Sequence, residues 1–249
     1  MEREQGVKVR IFTTEEELPF AGHPTLGTAF ALRGPDRRAA GGGAVRARSG
    51  AAKILLDLEA GRIPVEFSAE GGRQVFGEMH QLDPKMGETH NREEMARVAG
   101  LAVEDIVTDL PIQTVSTGVA FAIVPLVSRK AIEKLALDWK RVTEYTERTE
   151  AKFLYFVTRE TVDRGARMHA RMIFYNGEDP ATGSAAGCAA AWMTAHGVAQ
   201  PDEQVLIEQG LEARRPSRIW VRAGKDGDRV VNVRVGGHAV EVMRGELFL

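Results

Sequence analysis

Residues 17–23 read Glu-Leu-Pro-Phe-Ala-Gly-His, and residues 178–184 read Glu-Asp-Pro-Ala-Thr-Gly-Ser. The two stretches superpose without a gap: Glu17 falls on Glu178, Pro19 on Pro180 and Gly22 on Gly183, at a constant offset of 161 (178 minus 17). The register holds on either side, with Arg10 on Arg171 at the end of a predicted strand and Ala29 on Ala190 inside a predicted helix. Solenoids repeat at much shorter periods, so a single repeat at this distance points to two similar domains related by a pseudo-twofold axis.

Each copy carries the same device: a strand, an extended acidic turn, a glycine, and a helix beginning at His23 or Ser184. The first N–H groups of a helix have no partner inside it and carry about half a positive charge between them, so helix starts receive carboxylates and developing oxyanions. Two such starts facing one cleft suit a small anionic molecule and can stabilise an enolate or dienolate made by removing a proton beside a carboxylate. The motifs offer His23, Asp179 and Ser184 for the acid, the base and the orienting group. Each has a plainer reading as well: His23, next to Pro24, as a helix cap, and Asp179 and Ser184 as ordinary turn and cap residues.

Composition narrows the partners. The 249 residues (27.2 kDa) hold 33 basic and 35 acidic side chains, with a pI near 6.3. That balance leaves no footprint for nucleic acid or an anionic membrane and favours small molecules. The start MEREQGVKVRIF has no apolar signal core, and no stretch approaches the roughly 18 apolar residues of a membrane span, so a cytoplasmic protein is expected. The single cysteine, Cys188, excludes an internal disulfide and a cysteine metal cluster. Four residues past Ser184 in an apolar helix, it reads as a small buried hydrophobe and not as a racemase thiol. His80, His90, His169, His196 and His238 lack metal-ligand spacing and read as structural or solvated, so no metal is expected. ATGSAAG lacks the lysine of a phosphate loop, which argues against a nucleotide.

Along the chain, VKVRIF reads as one strand and PTLGTAFALRG as a helix, with Pro24 at its first position and Gly34 just past its end. A flexible GPDRRAAGGGAVRARSG precedes strands in AKILLDLEAG and RIPVEFSAEGG. EMHQLDPKMG breaks the pattern and is the candidate linker, dividing the chain into residues 1–84 and 85–249. The second half opens with a helix in NREEMARVAGL and strands in PIQTVSTG and VAFAIVPLV. SRKAIEKLALDWKRVTEYTE then reads as one helix with Ile132, Leu135, Ala136 and Trp139 on its buried face. Strands in KFLYFVTRE and ARMHARMIFY lead to the second motif, and TGSAAGCAAAWMTAHG is so rich in alanine that it must lie close against other backbone, with Gly197 as its cap. The tail reads as hairpins turning at KDGD, with the last strand a candidate to cross back to the first half.

RIFTTEEELPFAGHPTLGTAFAL, GEDPATGSAAG and EQGLEARRPSRIWV together resemble the phenazine-biosynthesis PhzF-like family. The resemblance runs from about Val9 to the C-terminus. It implies the diaminopimelate-epimerase fold: an α+β protein of two pseudo-symmetric, barrel-like domains with mixed sheets, each around a central helix, and the active site between them. It also implies isomerisation of a small carboxylate of the dihydro-hydroxyanthranilate type by proton transfer without a cofactor, and a homodimer. Carried over by motif, His23, Asp179 and Ser184 are the catalytic set. Gly22 and Gly183 would place backbone amides at the substrate, with Thr182 and Ala185 completing the substrate-binding group. The family's epimerase relatives have cysteines at the helix starts, which disfavours a two-cysteine epimerase for this chain.

The family's principal acid/base is a glutamate in a segment resembling N-L-S-E-T, upstream of the first strand, and the 249 residues contain no match to it. Glu15, Glu16 and Glu17 belong to the later motif and cannot take that role. The repeat points to the same shortfall, since residues 85–170 precede Arg171 but only residues 1–9 precede Arg10. Three expectations follow: a native chain that is longer at its front, a short paralogue that binds carboxylates without catalysis, or an enzyme using His23 and Asp179 as its acid/base pair. Amino-acid epimerisation or racemisation is the remaining alternative activity.

Overall fold

The computed structural model describes residues 6–34, 52–70, 74–174, 177–243 and 245. Among these, one mixed sheet of 13 strands runs through the molecule, and the two halves of the sequence meet inside it. From one edge the order is Val7–Lys8, Lys53–Leu58, Gly61–Glu70 and Gln74–His80. Gln74–His80 then pairs antiparallel with Arg229–Gly237, the last described strand. The sheet continues through Ser217–Asp226, Val205–Gln209, Ala166–Phe174, Phe153–Thr158, Ala120–Leu126, Gln113–Ser116 and Lys85–Thr89.

The second motif helix is wrapped by strands, and the first lies on a pair of them. Gly183–Ala195 is buried from Gly183 to Thr194 and is walled by strands 113–116, 120–126, 217–226 and 229–237. Its glycines, alanines and Cys188 leave no thick side-chain layer, which is what lets strands close around it. Gly22–Arg33 lies on strands 53–58 and 74–80, burying Gly22, Thr25 and Ala29. One apolar core spans both halves, from Leu56, Ile63 and Met79 to Phe121, Trp192 and Val235. A second fills the other face of the C-terminal strands around Met95, Ile112, Ile132 and Tyr145.

The repeat is realised at the level of register. Ile11 pairs with Leu18 and Phe12 with Glu17 in a two-stranded ribbon, and 161 residues on Met172 pairs with Asp179 and Ile173 with Glu178. Arg10 forks onto Glu17 at 2.8 and 2.7 Å, and Arg171 forks onto Glu178 at 2.9 Å through both nitrogens. The matched arginines and glutamates are therefore bidentate partners that staple each turn across seven residues.

Four local expectations are corrected. Residues 7–12 are two strands: Val7–Lys8 joins the main sheet beside Leu56 and Asp57, while Ile11–Phe12 belongs to the ribbon. Pro24 is the third helical residue, since the helix starts at Gly22 after an Ala21 cap; it still sits in the first turn, where a missing N–H costs no bond. The linker candidate 78–87 is largely strand. Glu78, Met79 and His80 lie inside a strand that pairs on both edges, and Lys85–Thr89 forms the far edge of the sheet. Residues 128–147 form two helices, Arg129–Glu133 and Trp139–Glu147. Between them Ala136 gives its N–H to Ala99, and Asp138 caps the restart through Lys140 and Arg141.

Gly34 ends its helix with φ 74° and returns its N–H to Phe30, and Gly227 turns the last hairpin with φ 59°. The flexible segment expected at 34–50 lies outside the described residues from 35 onward, as do Tyr175, Asn176 and residues 246–249.

Candidate active site

The two motif helices meet end to end. A Cβ on Gly22 would overlap the Cα and carbonyl carbon of Gly183 and the nitrogen of Ser184, and one on Gly183 would stand 3.1 Å from the Gly22 Cα. Main chain rests on main chain, so glycine is dictated here by space and not by torsion. This contact brings the start of each helix to a single cavity of roughly 340 Å³.

His23, Asp179, Ser184, Gly22 and Thr182 all line that cavity, whereas Gly183 and Ala185 stand outside its lining. His23 is the second residue of its helix and caps nothing. Its Nδ1 lies 2.6 Å from the carbonyl oxygen of Ala181, in the other motif. A carbonyl only accepts, so Nδ1 carries a proton and Nε2 is the nitrogen left for a ligand. The same Nδ1 is 3.9 Å from Asp179 Oδ1. His23 is 58% exposed and Asp179 14%, so the pair sits where the cavity opens to solvent.

Asp179 is held from behind. Thr182 donates its hydroxyl to Oδ2 at 2.8 Å, and the Ala181 N–H reaches Oδ1 at 3.4 Å. Gln209, fully buried, donates from Nε2 to the Asp179 carbonyl (2.7 Å) and to Thr182 Oγ1 (2.9 Å). Its Oε1 accepts from the Thr182 N–H (3.2 Å) and from the Tyr155 hydroxyl (2.9 Å). Burial, the nearby Asp179 charge and Cys188 raise the Tyr155 pKa well beyond the usual phenol range, so Tyr155 is a fixed donor. Next along, Glu178 is neutralised by Arg171, whose Nη1 also donates to the Ile132 carbonyl at 2.8 Å.

The remaining wall is apolar. Phe153 packs edge-on to Phe174 (5.2 Å, 83°) and tilted against Phe121 (5.6 Å), and all three line the cavity with Ile11, Leu18 and Phe20. No lysine or arginine lines it among the described residues. At the start of the second helix the Thr182 N–H is committed to Gln209 and the helical ladder begins at Ala186, which leaves the N–H of Ser184, in the cavity wall, and those of Gly183 and Ala185 beside it without an intrahelical acceptor.

Sequence reasoning missed Gln209, Tyr155 and the phenylalanine wall. The wall had a signal, because Phe153 and Tyr155 alternate on one face of a strand; Gln209 had none, since nothing local distinguishes a buried glutamine from a solvated one.

Outside the cavity, Cys188 is fully buried and its pKa is pushed up to about 11 by burial, which makes it a poor nucleophile. His169 is buried between Glu208 and Glu212 at 3.0 Å each, and His90 lies between Tyr145 (2.5 Å) and Thr114 (2.7 Å). Among the described residues no group of three or more His, Cys, Asp and Glu is placed to hold a metal ion. No helix among them is long and apolar enough to cross a membrane.

Two motif helices abutting at glycines, each packed on strands of a mixed sheet, define the epimerase-type fold. The crystal structure of a "probable proline racemase" from Agrobacterium radiobacter, 11% identical, shares it with a TM-score of 0.61 over 96% of this chain and 71% of that one. Within that fold the chain belongs to the phenazine biosynthesis-like (PhzC-PhzF) family, whose model matches residues 1–245. It is 34% identical to an uncharacterized isomerase of Mesorhizobium japonicum, covering 97% of this chain and 80% of that protein. It is 29% identical to trans-2,3-dihydro-3-hydroxyanthranilate isomerase of Pseudomonas aeruginosa, covering 100% and 81%. The crystal structure of a PhzF-family phenazine biosynthesis protein from Bacillus anthracis is 26% identical and superposes with a TM-score of 0.80, covering 97% and 80%.

Proposed function

We propose that the protein is an isomerase that moves a proton within a small carboxylate. The observation that carries this reading is the convergence of His23 and Asp179, one from each repeat, to 3.9 Å at the mouth of a cavity fed by two helix starts. The names of its relatives, which include isomerases, support the reaction class.

The substrate carboxylate lies against the N–H groups at the start of the Ser184 helix, and its apolar body lies against Phe121, Phe153 and Phe174. Asp179 takes the proton from a saturated carbon conjugated through the substrate's double bonds to the carboxylate, and the resulting extended enolate is held by the helix N–H groups and oriented by the Ser184 hydroxyl. The proton returns at another carbon, so no atom is gained or lost. His23 hydrogen-bonds the substrate through Nε2 while Ala181 holds its other nitrogen.

The test is incubation with trans-2,3-dihydro-3-hydroxyanthranilate, and with related amino- and hydroxy-carboxylates, in D2O, followed by NMR and mass spectrometry. Deuterium should enter at carbon with rearrangement of the double bond, and Asp179→Asn should slow it by about 100-fold or more. Saturable carboxylate binding with no exchange in any of these compounds would instead identify a binding protein and end the isomerase reading.

A further inference from the structure

The hydrogen bonds behind Asp179 have a direction. The Asp179 carbonyl only accepts and the Thr182 N–H only donates, so the Gln209 carboxamide has one orientation, with Nε2 toward Asp179 and Oε1 toward Thr182 N and Tyr155. Nε2 donates its second proton to Thr182 Oγ1, which leaves the threonine proton for Asp179 Oδ2. The chain therefore runs one way: Tyr155 O–H to Gln209, Gln209 N–H to Thr182, Thr182 O–H to Asp179. Tyr155 and Gln209 are fully buried and Thr182 nearly so, so water does not compete for these bonds.

We infer that Gln209 is a positioning residue: through Thr182 it reserves Asp179 Oδ2 as a hydrogen-bond acceptor and leaves Oδ1, the oxygen facing His23, as the one that exchanges a proton with substrate. Gln209 does not line the cavity and acts through the motif turn. It also fixes the turn itself, because it bonds the main chain of residues 179 and 182 at once. The next residue, Gly210, has φ 83° and lies so close to the Pro180 carbonyl (2.6 Å from an added Cβ) that the end of strand 205–209 packs main chain against the turn. The inference rests on the isomerase reading only for which oxygen carries the proton.

The experiment compares wild type with Gln209→Met, Thr182→Val and Thr182→Ser, each checked for fold by circular dichroism and thermal melting. In the exchange assay, with trans-2,3-dihydro-3-hydroxyanthranilate as probe, Gln209→Met and Thr182→Val should lower kcat by about 10- to 100-fold with KM within about 3-fold, and Thr182→Ser should retain kcat. Crystal structures give a readout independent of turnover: in Gln209→Met and Thr182→Val the Asp179 carboxylate should rotate out of its wild-type orientation, and in Thr182→Ser it should keep it. If folded Gln209→Met and Thr182→Val retain both the carboxylate orientation and kcat, Gln209 is only a packing residue and the inference fails. If wild type exchanges nothing with any carboxylate while the two variants still lose the orientation, the isomerase reading fails and the positioning role stands.

Discussion

At residue scale the protein turns on Gly22, where one atom more would push two helices apart. Gly22→Ala should cost about 1–3 kcal/mol of stability and open the cavity by separating His23 from Asp179. Gly27 in the same helix is the control: nothing lies within 4 Å of its added Cβ, so Gly27→Ala should stabilise by about 0.5–1 kcal/mol through helix propensity. Urea melts of the two variants decide the point, and equal effects would mean that the Gly22 contact carries no strain. The letters of both motifs were readable in the sequence because each glycine recurs 161 residues on. What they do was only half readable: Gly22 and Gly183 were expected to turn amides to a substrate, and the geometry adds a second demand, that the two glycines pack against each other.

At the scale of elements the two copies of the turn are alike in register and unlike in setting. Arg171 and Glu178 are 11% and 16% exposed, Arg171 has a third acceptor in Ile132, and the turn is a branch of the main sheet. Arg10 is 61% exposed and belongs to an isolated ribbon. Arg171→Met should therefore cost about 3 kcal/mol, because it strands a half-buried carboxylate beside Asp179, while Arg10→Met should leave the melting temperature unchanged within error. Calorimetry on both variants measures the contrast. The sequence could show that the positions match, but not which copy is buried, since burial is decided by neighbours such as strand 153–158 that are remote along the chain. The same limit explains the split helix at 134–138. Its apolar spacing is helical throughout, but Ala99 takes the Ala136 N–H, and Asp138 serves as a cap. Likewise the linker expected at 78–87 has weak strand composition, and its strands exist because 113–116 and 229–237 supply partners.

Over the whole molecule, the buried charges outside the cavity set a pH dependence. Burial alone would lower the His169 pKa, but hydrogen bonds and charge from Glu212 and then Glu208 outweigh it and the net shift is upward. For Glu212, burial would raise the pKa, but His169 and Arg171 bring it below its usual value. Stability from the raised histidine is fully present below its unfolded value of about 6.5 and is lost as pH rises through the native value. Stability from the lowered glutamate is present above about 4.5 and is lost as pH falls through its native value. The cluster therefore contributes most at mildly acidic pH. In a melting-temperature profile, the difference between wild type and His169→Gln should be largest near about pH 5–6 and shrink on the alkaline side; a difference that grows with pH would refute this assignment of charge.

The pairing of strand 74–80 with strand 229–237 also governs how the chain must be made. About 150 residues separate the partners, so the pairing closes one of the longest loops in the molecule, and such closures slow folding. During synthesis the edge of strand 74–80 emerges first and waits, bare, until nearly the whole chain has followed. A chain that stops in the second half keeps this edge unpaired and half its core exposed, the two features by which unfinished proteins aggregate.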